Sequence, residues 1–161
     1  ELEKSKIKNF IEKNNPLVIS VNYIPESYEV DYIFLSNSKR YMSLFDTDMG
    51  KCSIILTSNI SDYLCKADYI LNYESLLMDN VKKNDNPLLL LFSLFLKINK
   101  KEVFLAGFDG YRKDGLNYYD SYHNLVVDNE GSLKENVVLK ESIKKISKLI
   151  KINFITETLY I

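Results

Sequence analysis

The chain has 161 residues, of which 46% are hydrophobic and 27% charged, and its net charge is −1. A chain of this length fits one domain that buries about 70% of its unfolded surface. Because charges of both signs are interspersed and nearly cancel, there is no electrostatic reason to expect nucleic acid or an anionic membrane as a partner. The longest apolar stretch, residues 88–96, is too short to span a bilayer, and no secretory signal opens the chain.

Cysteine usage indicates a reducing compartment. Cys52 and Cys65 have no metal-binding or redox spacing, and we interpret them as small core residues. We therefore expect a cytoplasmic protein. The chain begins at Glu1 rather than at Met, which suggests a fragment of something longer.

The first part of the chain alternates helical and strand patterns. Apolar residues at near-helical spacing predict an amphipathic helix over residues 1–14, which Pro16 ends. Ser36 and Asn37 are suited to cap a short helix that contains Arg40. Short apolar runs typical of buried strands occur at residues 17–21, 32–35, 54–56 and 69–71.

The second part continues the alternation. Asn86 and Pro87 are good first residues for a helix, and the apolar residues after them predict a central, nearly fully buried helix over residues 88–96. A strand at residues 103–105 precedes a long excursion, residues 107–131, of the kind that is usually functional.

The last helix and strand close the predicted fold. Ser132 and Glu135 have the spacing of a capping box at the start of a helix. The final strand is predicted at residues 153–155. The apolar stripe of this helix consists of Leu139, Ile143, Ile146 and Ile150.

Strands that alternate with helices imply right-handed crossovers and a parallel sheet covered on both faces. The sequence thus predicts a single α/β domain over residues 1–161. It should be a Rossmann-like three-layer sandwich with a mostly parallel sheet of five to six strands.

The segment after the strand at residues 103–105 is the most informative in the chain. It contains Gly107, Asp109 and Tyr111 directly after a strand end, where open α/β sheets bind ligands and glycine lets the backbone approach. Asp-Gly is also a common turn dipeptide, so a simple turn is the alternative.

Other strand ends carry polar side chains that could converge on the same crevice. Asn22, Asn37 with Arg40, and Asn59 offer amides and one cation, a set suited to a nucleotide or sugar. The alternative is that these residues only cap the helices that follow.

His123 is the sole histidine, so it is the one candidate for imidazole acid–base catalysis. It lies beside Tyr118, Tyr119 and Tyr122, which are suited to stack on a base or sugar or to pack against another protein. No metal-site spacing, nucleophile elbow, Walker loop or dinucleotide glycine fingerprint is present, and no cofactor is expected in this domain.

Five segments form a recognisable set: residues 20–25 (SVNYIP), 31–37 (DYIFLSN) with Arg40, 56–59 (LTSN), 72–76 (NYESL) and 106–111 (AGFDGY). Together they resemble the C-terminal domain of bacterial aldolase-like proteins, whose N-terminal barrel is similar to 4-hydroxy-2-oxovalerate aldolases and hydroxymethylglutaryl-lyase-type enzymes. The resemblance implies an attached barrel as partner, with lyase activity and any divalent metal in that barrel.

More distantly, the layout is similar to the bacterial sialyltransferase fold and its motility-accessory relatives. That resemblance implies that Asn22 and Asn37 touch a nucleotide and that Gly107 and Asp109 line the same cleft. The glycine-rich loop of those proteins would lie upstream of Glu1. Their catalytic histidine falls shortly before the last helix, later than His123.

Three functional hypotheses follow. The first is an accessory domain that binds a nucleotide, a sugar nucleotide or a related polar metabolite. The second is a non-catalytic interaction or oligomerisation module that uses the tyrosines near His123. The third is a glycosyltransferase-like domain.

Overall fold

The computed structural model describes residues 2–44, 51–60, 67–111 and 129–161. The chain folds into two compact units, each described by itself below. The first unit contains Glu1–Asp79 and Asn84–Ile98, and the second contains Asn80–Lys83 and Asn99–Ile161.

The first unit is built on a four-stranded sheet with the strands in sequence order, β1-β2-β3-β4. Every neighbouring pair is parallel. Its strands are β1 (Ile19–Val21), β2 (Tyr32–Leu35), β3 (Ser53–Thr57) and β4 (Tyr69–Leu71).

The helices of the first unit are α1 (Leu2–Asn14), α2 (Ser38–Leu44), α3 (Tyr73–Leu76) and α4 (Pro87–Lys97). Asn86 caps α4 by accepting a hydrogen bond from Leu88 N at its Oδ1, and Pro87 occupies the first helical turn as predicted. Proline fits there because its missing N–H has no intrahelical partner in any case.

Alternate residues of β2 pack into different hydrophobic clusters, because successive side chains of a strand point to opposite faces. Ile33 and Leu35 join one cluster with Tyr41 of α2. Phe34 joins another with Leu90 and Leu91 of α4. The sheet is therefore covered on both faces, which is the layer arrangement that the sequence predicts.

Helix α4 is the central helix of the first unit. Its residues Leu88 to Ser93 are buried, with Leu89, Leu90 and Phe92 at 0% exposure. Residues 94–96 are only half-buried, so the predicted burial holds for residues 88–93 and declines towards the end of the helix.

We expect Leu91→Asp to abolish soluble expression. Leu91 is 3% exposed, and an unpaired buried charge costs several kcal/mol, about the whole stability of a small domain. Leu91→Ala should still fold with a loss of about 2–5 kcal/mol in the free energy of unfolding, measured by urea denaturation. Ile98→Asp, at a 54% exposed position just after α4, is the control and should remain soluble. Soluble, folded Leu91→Asp would contradict this placement of the helix.

A repeated Asp-Tyr-Ile sequence holds the starts of two strands. Asp31 Oδ2 accepts a hydrogen bond from Val18 N at 2.6 Å, while Asp31 N donates to Val18 O at 3.0 Å. Asp68 repeats this ring with Ile54, at 2.7 and 3.0 Å. Each aspartate thus closes a two-bond ring onto the neighbouring strand, which fixes the register that keeps the apolar residues on their own faces.

Replacing Asp68 by alanine should lower the free energy of unfolding by about 1–2 kcal/mol, because the Ile54 N–H loses its charged acceptor. Asp68→Asn should lose less, since its amide oxygen still accepts. Asp79→Ala, at an exposed aspartate outside the strands, is the matched control. Equal urea midpoints for Asp68→Ala and Asp79→Ala would refute the role of the ring.

The second unit contains a parallel pair of strands, β5 (Glu102–Leu105) and β6 (Lys151–Phe154), and helix α5 (Asn129–Ile146). The predicted apolar stripe of this region is buried, at 2%, 3%, 1% and 2% exposure for Leu139, Ile143, Ile146 and Ile150. On the strand pair, Lys151 and Asn153 both donate hydrogen bonds to Glu102 at 2.6 and 2.8 Å, and these bonds lower the pKa of that carboxyl.

The predicted start of the last helix is wrong. Helix α5 begins at Asn129, so Ser132 lies within its first turn and is not the N-cap. Glu135 forms an ion pair with Lys83 at 2.8 Å instead of completing a capping box. The capping-box spacing is a local pattern and does not fix where the helix starts. Here the helix starts three residues before Ser132.

The α/β, Rossmann-like class is confirmed. All six strands in the described part of the chain have parallel partners, and helices alternate with them. Hydrogen bonding divides these strands into a sheet of four and a sheet of two.

Candidate functional site

The carboxyl ends of β1 to β4 follow one another along one edge of the first unit's sheet, about 5 Å apart from strand to strand. Asn22, Asn37 and Asn59 lie on this edge, as the sequence predicts for parallel strands. The three side chains have different environments. The hydrogen bonds that each one makes decide which of its donor and acceptor atoms a ligand could use.

Asn22 directly follows β1 and continues its ladder, since Asn22 N donates to Phe34 O at 3.0 Å. Its backbone turns into the left-handed region, with φ 55°. Asparagine is one of the few residues other than glycine that enter this region readily. The chain therefore leaves the sheet sharply at this residue.

The side chain of Asn22 carries an unusual feature. Its Oδ1 is buried and has no hydrogen-bond partner among the described residues. Nearby, the Ser20 hydroxyl donates to Tyr23 O, so it is already engaged within the same loop. Asn22 Oδ1 is thus an acceptor at a strand end that receives no hydrogen bond from the described part of the chain.

Asn37 caps α2. Its Oδ1 accepts a hydrogen bond from Arg40 N at 3.2 Å, and its carbonyl accepts from Tyr41 N at 3.0 Å. Arg40 lies in the first turn of α2 and is half-buried. The capping alternative raised by the sequence therefore accounts for the conformation of Asn37.

Asn59 joins two strand ends. Its Oδ1 accepts from Thr57 Oγ1 at 2.5 Å, and its Nδ2 donates to Ser36 O at 3.1 Å. The amide thus ties the end of β3 to the end of β2. Both polar atoms of this amide therefore already have protein partners.

The β4 end carries a neutral phenol. Tyr73 N donates to Ser58 Oγ at 3.0 Å, which links the ends of β3 and β4. Burial raises the pKa of the Tyr73 hydroxyl, and the carboxylates of Asp85 and Glu74 add to the shift. Tyr73 therefore stays protonated at neutral pH.

Cys52 forms no disulfide and packs, partly buried, against the first hydrophobic cluster, in agreement with its predicted core role. Burial raises its pKa, and the negative charge of Asp68 adds to the shift. A raised pKa disfavours the reactive thiolate, so Cys52 is a poor nucleophile. Cys65 lies outside the described residues.

Gly107 and Asp109 follow β5 in the second unit, where Thr156 connects them. Gly107 N donates to Thr156 Oγ1 at 2.9 Å, and this hydroxyl donates to Asp109 Oδ1 at 3.4 Å. Gly107 has φ 68°, which favours glycine, and a Cβ there would meet open space. The turn is therefore held by the segment after β6.

Tyr111 is anchored by a side-chain amide of α5. Asn136 Oδ1 accepts from Tyr111 N and Asn136 Nδ2 donates to Tyr111 O, both at 2.8 Å. Tyr160 OH also donates to Asn136 Oδ1 at 3.1 Å, and the Tyr160 ring lies 4.7 Å from that of Phe108. The strand end after β5 is thus bound on one side by the chain's own C-terminal segment.

The predicted site residues fall into two groups. Asn22, Asn37, Arg40 and Asn59 belong to the first unit, and Gly107, Asp109 and Tyr111 belong to the second. The single cleft that the sequence predicts across both groups stays a prediction. His123 and the tyrosines beside it lie outside the described residues.

Sequence reasoning missed Asn136 and Thr156. Nothing in the local pattern distinguishes them, because Asn136 lies within a helix and Thr156 follows the last strand. Their partners are 25 and 49 residues away in the chain. Only folding brings these groups into contact.

Within the described ranges, His, Cys, Asp and Glu side chains form no group of three that could hold a metal ion. Every helix there is too short or too polar to cross a membrane. No protein-family model, curated protein or solved structure matches the chain.

The Asn136 amide should be important for the stability of the second unit. Asn136→Ala removes both hydrogen bonds to the Tyr111 backbone, and we expect a loss of about 2–3 kcal/mol in urea denaturation. Asn136→Asp places a carboxylate oxygen against Tyr111 O, so two acceptors repel each other and its loss should be at least as large. Val137→Ala, at a 59% exposed position of the same helix, is the control. A loss for Asn136→Ala no larger than for Val137→Ala would show that the amide contributes nothing.

Proposed function

We propose that this domain binds a small polar molecule, a nucleotide, sugar nucleotide or related metabolite, at the carboxyl edge of the four-stranded sheet. Asn22 is the central contact. The observation that carries this proposal is its buried Oδ1, which has no hydrogen-bond partner among the described residues.

Asn22 departs from two ordinary rules of stable structure at once. A buried acceptor without a donor costs about 1–3 kcal/mol, and native structures contain few of them. The left-handed backbone adds a further local cost, although a modest one for asparagine. Departures of this kind are expected at functional sites, where binding compensates for them.

The neighbouring strand ends support the same site. The Asn59 amide and the Ser58 hydroxyl tie the ends of β2, β3 and β4 together, so the edge is pre-organised. A rigid edge at the carboxyl ends of parallel strands is where α/β folds bind ligands. Arg40, close behind Asn37, would supply a positive charge for a phosphate group.

We further propose that the domain is an accessory part of an aldolase-like protein, as its resemblance implies. Lyase chemistry would then belong to an attached barrel, and the isolated domain would not cleave the aldol substrate. The coding sequence upstream of Glu1 is the direct test. An open reading frame without a barrel there would remove this part of the proposal and leave the binding role intact.

Removing the Asn22 side chain should abolish ligand stabilisation without harming the fold. Asn22→Gly is the suitable change, because glycine accepts φ 55° whereas alanine would add backbone strain. A nucleotide at one hundred times its dissociation constant should stabilise the wild type by about 2.7 kcal/mol, and Asn22→Gly should show almost none of this shift. Its ligand-free melting temperature should equal or exceed that of the wild type, because a buried unpaired acceptor has been removed.

Asn99→Gly is the matched control, since Asn99 is an exposed asparagine in the same left-handed region, with φ 61°. It should keep the full ligand shift in a thermal-shift screen with nucleotides and sugar nucleotides. If Asn22→Gly keeps that shift too, the site lies elsewhere. If Asn22→Gly melts well below the wild type without ligand, Asn22 has a structural role instead.

A further inference from the structure

The hydrogen bonding at the carboxyl edge also defines the chemistry of the ligand group that reaches Asn22. We infer that this group is a hydrogen-bond donor, an amino or a hydroxyl group, and not a carbonyl or a phosphate oxygen. The inference rests on the proposed function and deepens it.

Asn22 Oδ1 is a carbonyl oxygen with two lone pairs and no proton to give. It is buried and unpartnered within the described part of the chain, so only a donor can restore the hydrogen bonding it loses on leaving water. A ligand oxygen placed against it would add repulsion between two acceptors.

Two neighbouring donors on the edge have partners other than Asn22. The Ser20 hydroxyl is committed to Tyr23 O, and both amide atoms of Asn59 are engaged. The Ser20 and Asn59 donors therefore have other partners, and the described residues supply no donor to Asn22 Oδ1. The donor then comes with the ligand.

The consequence is a binding preference between closely matched molecules. Cytidine and adenosine carry an exocyclic amino group where uridine and inosine carry a carbonyl. Ribose carries a hydroxyl that 2′-deoxyribose or 3′-deoxyribose lacks. Sites built to bond a polar group reject the analogue that lacks it, since the site's own group is then left unpaired.

The experiment is isothermal titration calorimetry of the chain with these matched 5′-monophosphates. If the base supplies the donor, the amino members should bind about tenfold or more tightly than their oxo partners, which is the effect of one regained hydrogen bond. If the sugar supplies it, the ribose members should show that advantage over the deoxy members instead. Either result supports the inference and identifies the source of the donor.

Two variants connect the preference to Asn22. Asn22→Gly should reduce the ratio within the matched pair to nearly one. Asn22→Asp tolerates the left-handed backbone and retains only acceptor atoms, so it should keep the preference; circular dichroism confirms that each variant is folded. A preference that persists unchanged in Asn22→Gly would overturn the inference.

The remaining outcomes separate this inference from the proposed function. Dissociation constants of all monophosphates within about threefold of one another, or tighter binding of the oxo members, would refute the inference that the ligand group is a donor. The proposed binding function would still stand. No binding by any nucleotide, sugar nucleotide or monophosphate would overturn the proposed function and this inference with it.

Discussion

The burial of strand β2 on both faces is the constraint on which the first unit depends. Ile33, Phe34 and Leu35 are all at 0% exposure, and alternate residues pack into separate clusters. A shift of one residue in register would send Phe34 to the cluster of Ile33 and Leu35 and would exchange every partner. The hydrogen-bonded rings of Asp31 and Asp68 therefore matter beyond their own bonds, because they fix the register at the strand starts.

The same constraint positions the candidate site. Once the strand starts are fixed and the strands are parallel, their carboxyl ends lie in a row. The Asn59 amide and the Ser58 hydroxyl link the ends of β2, β3 and β4 along that row. Asn22 differs, since its carbonyl oxygen is buried and unpaired among the described residues. Hydrogen bonds that hold such an edge in place would reduce the conformational entropy lost in the binding that we propose.

The strands and helices were largely predictable, while the capping of the last helix was not. Residues 32–35 and 69–71 match β2 and β4, and the Asn86-Pro87 start of α4 is confirmed. These elements are encoded locally by apolar runs and cap residues. The prediction that Ser132 caps the last helix was wrong, because a capping box is one local preference among several. The Glu135 side chain instead found a partner in Lys83, 52 residues earlier in the chain.

The sequence by itself determined the class of the fold, the two covered faces of the sheet and the presence of polar side chains after several strands. Periodicity and cap residues are short-range properties, so they can be read from a few neighbouring positions. Only the tertiary structure decided which of those polar groups have hydrogen-bond partners. Asn37 and Asn59 have hydrogen-bond partners that folding supplies. Thr156 holds Asp109, and Asn136 holds Tyr111. Asn22 Oδ1 receives no hydrogen bond from the described residues. Hydrogen-bond satisfaction depends on groups that lie far apart in the chain, and therefore no local pattern could reveal it.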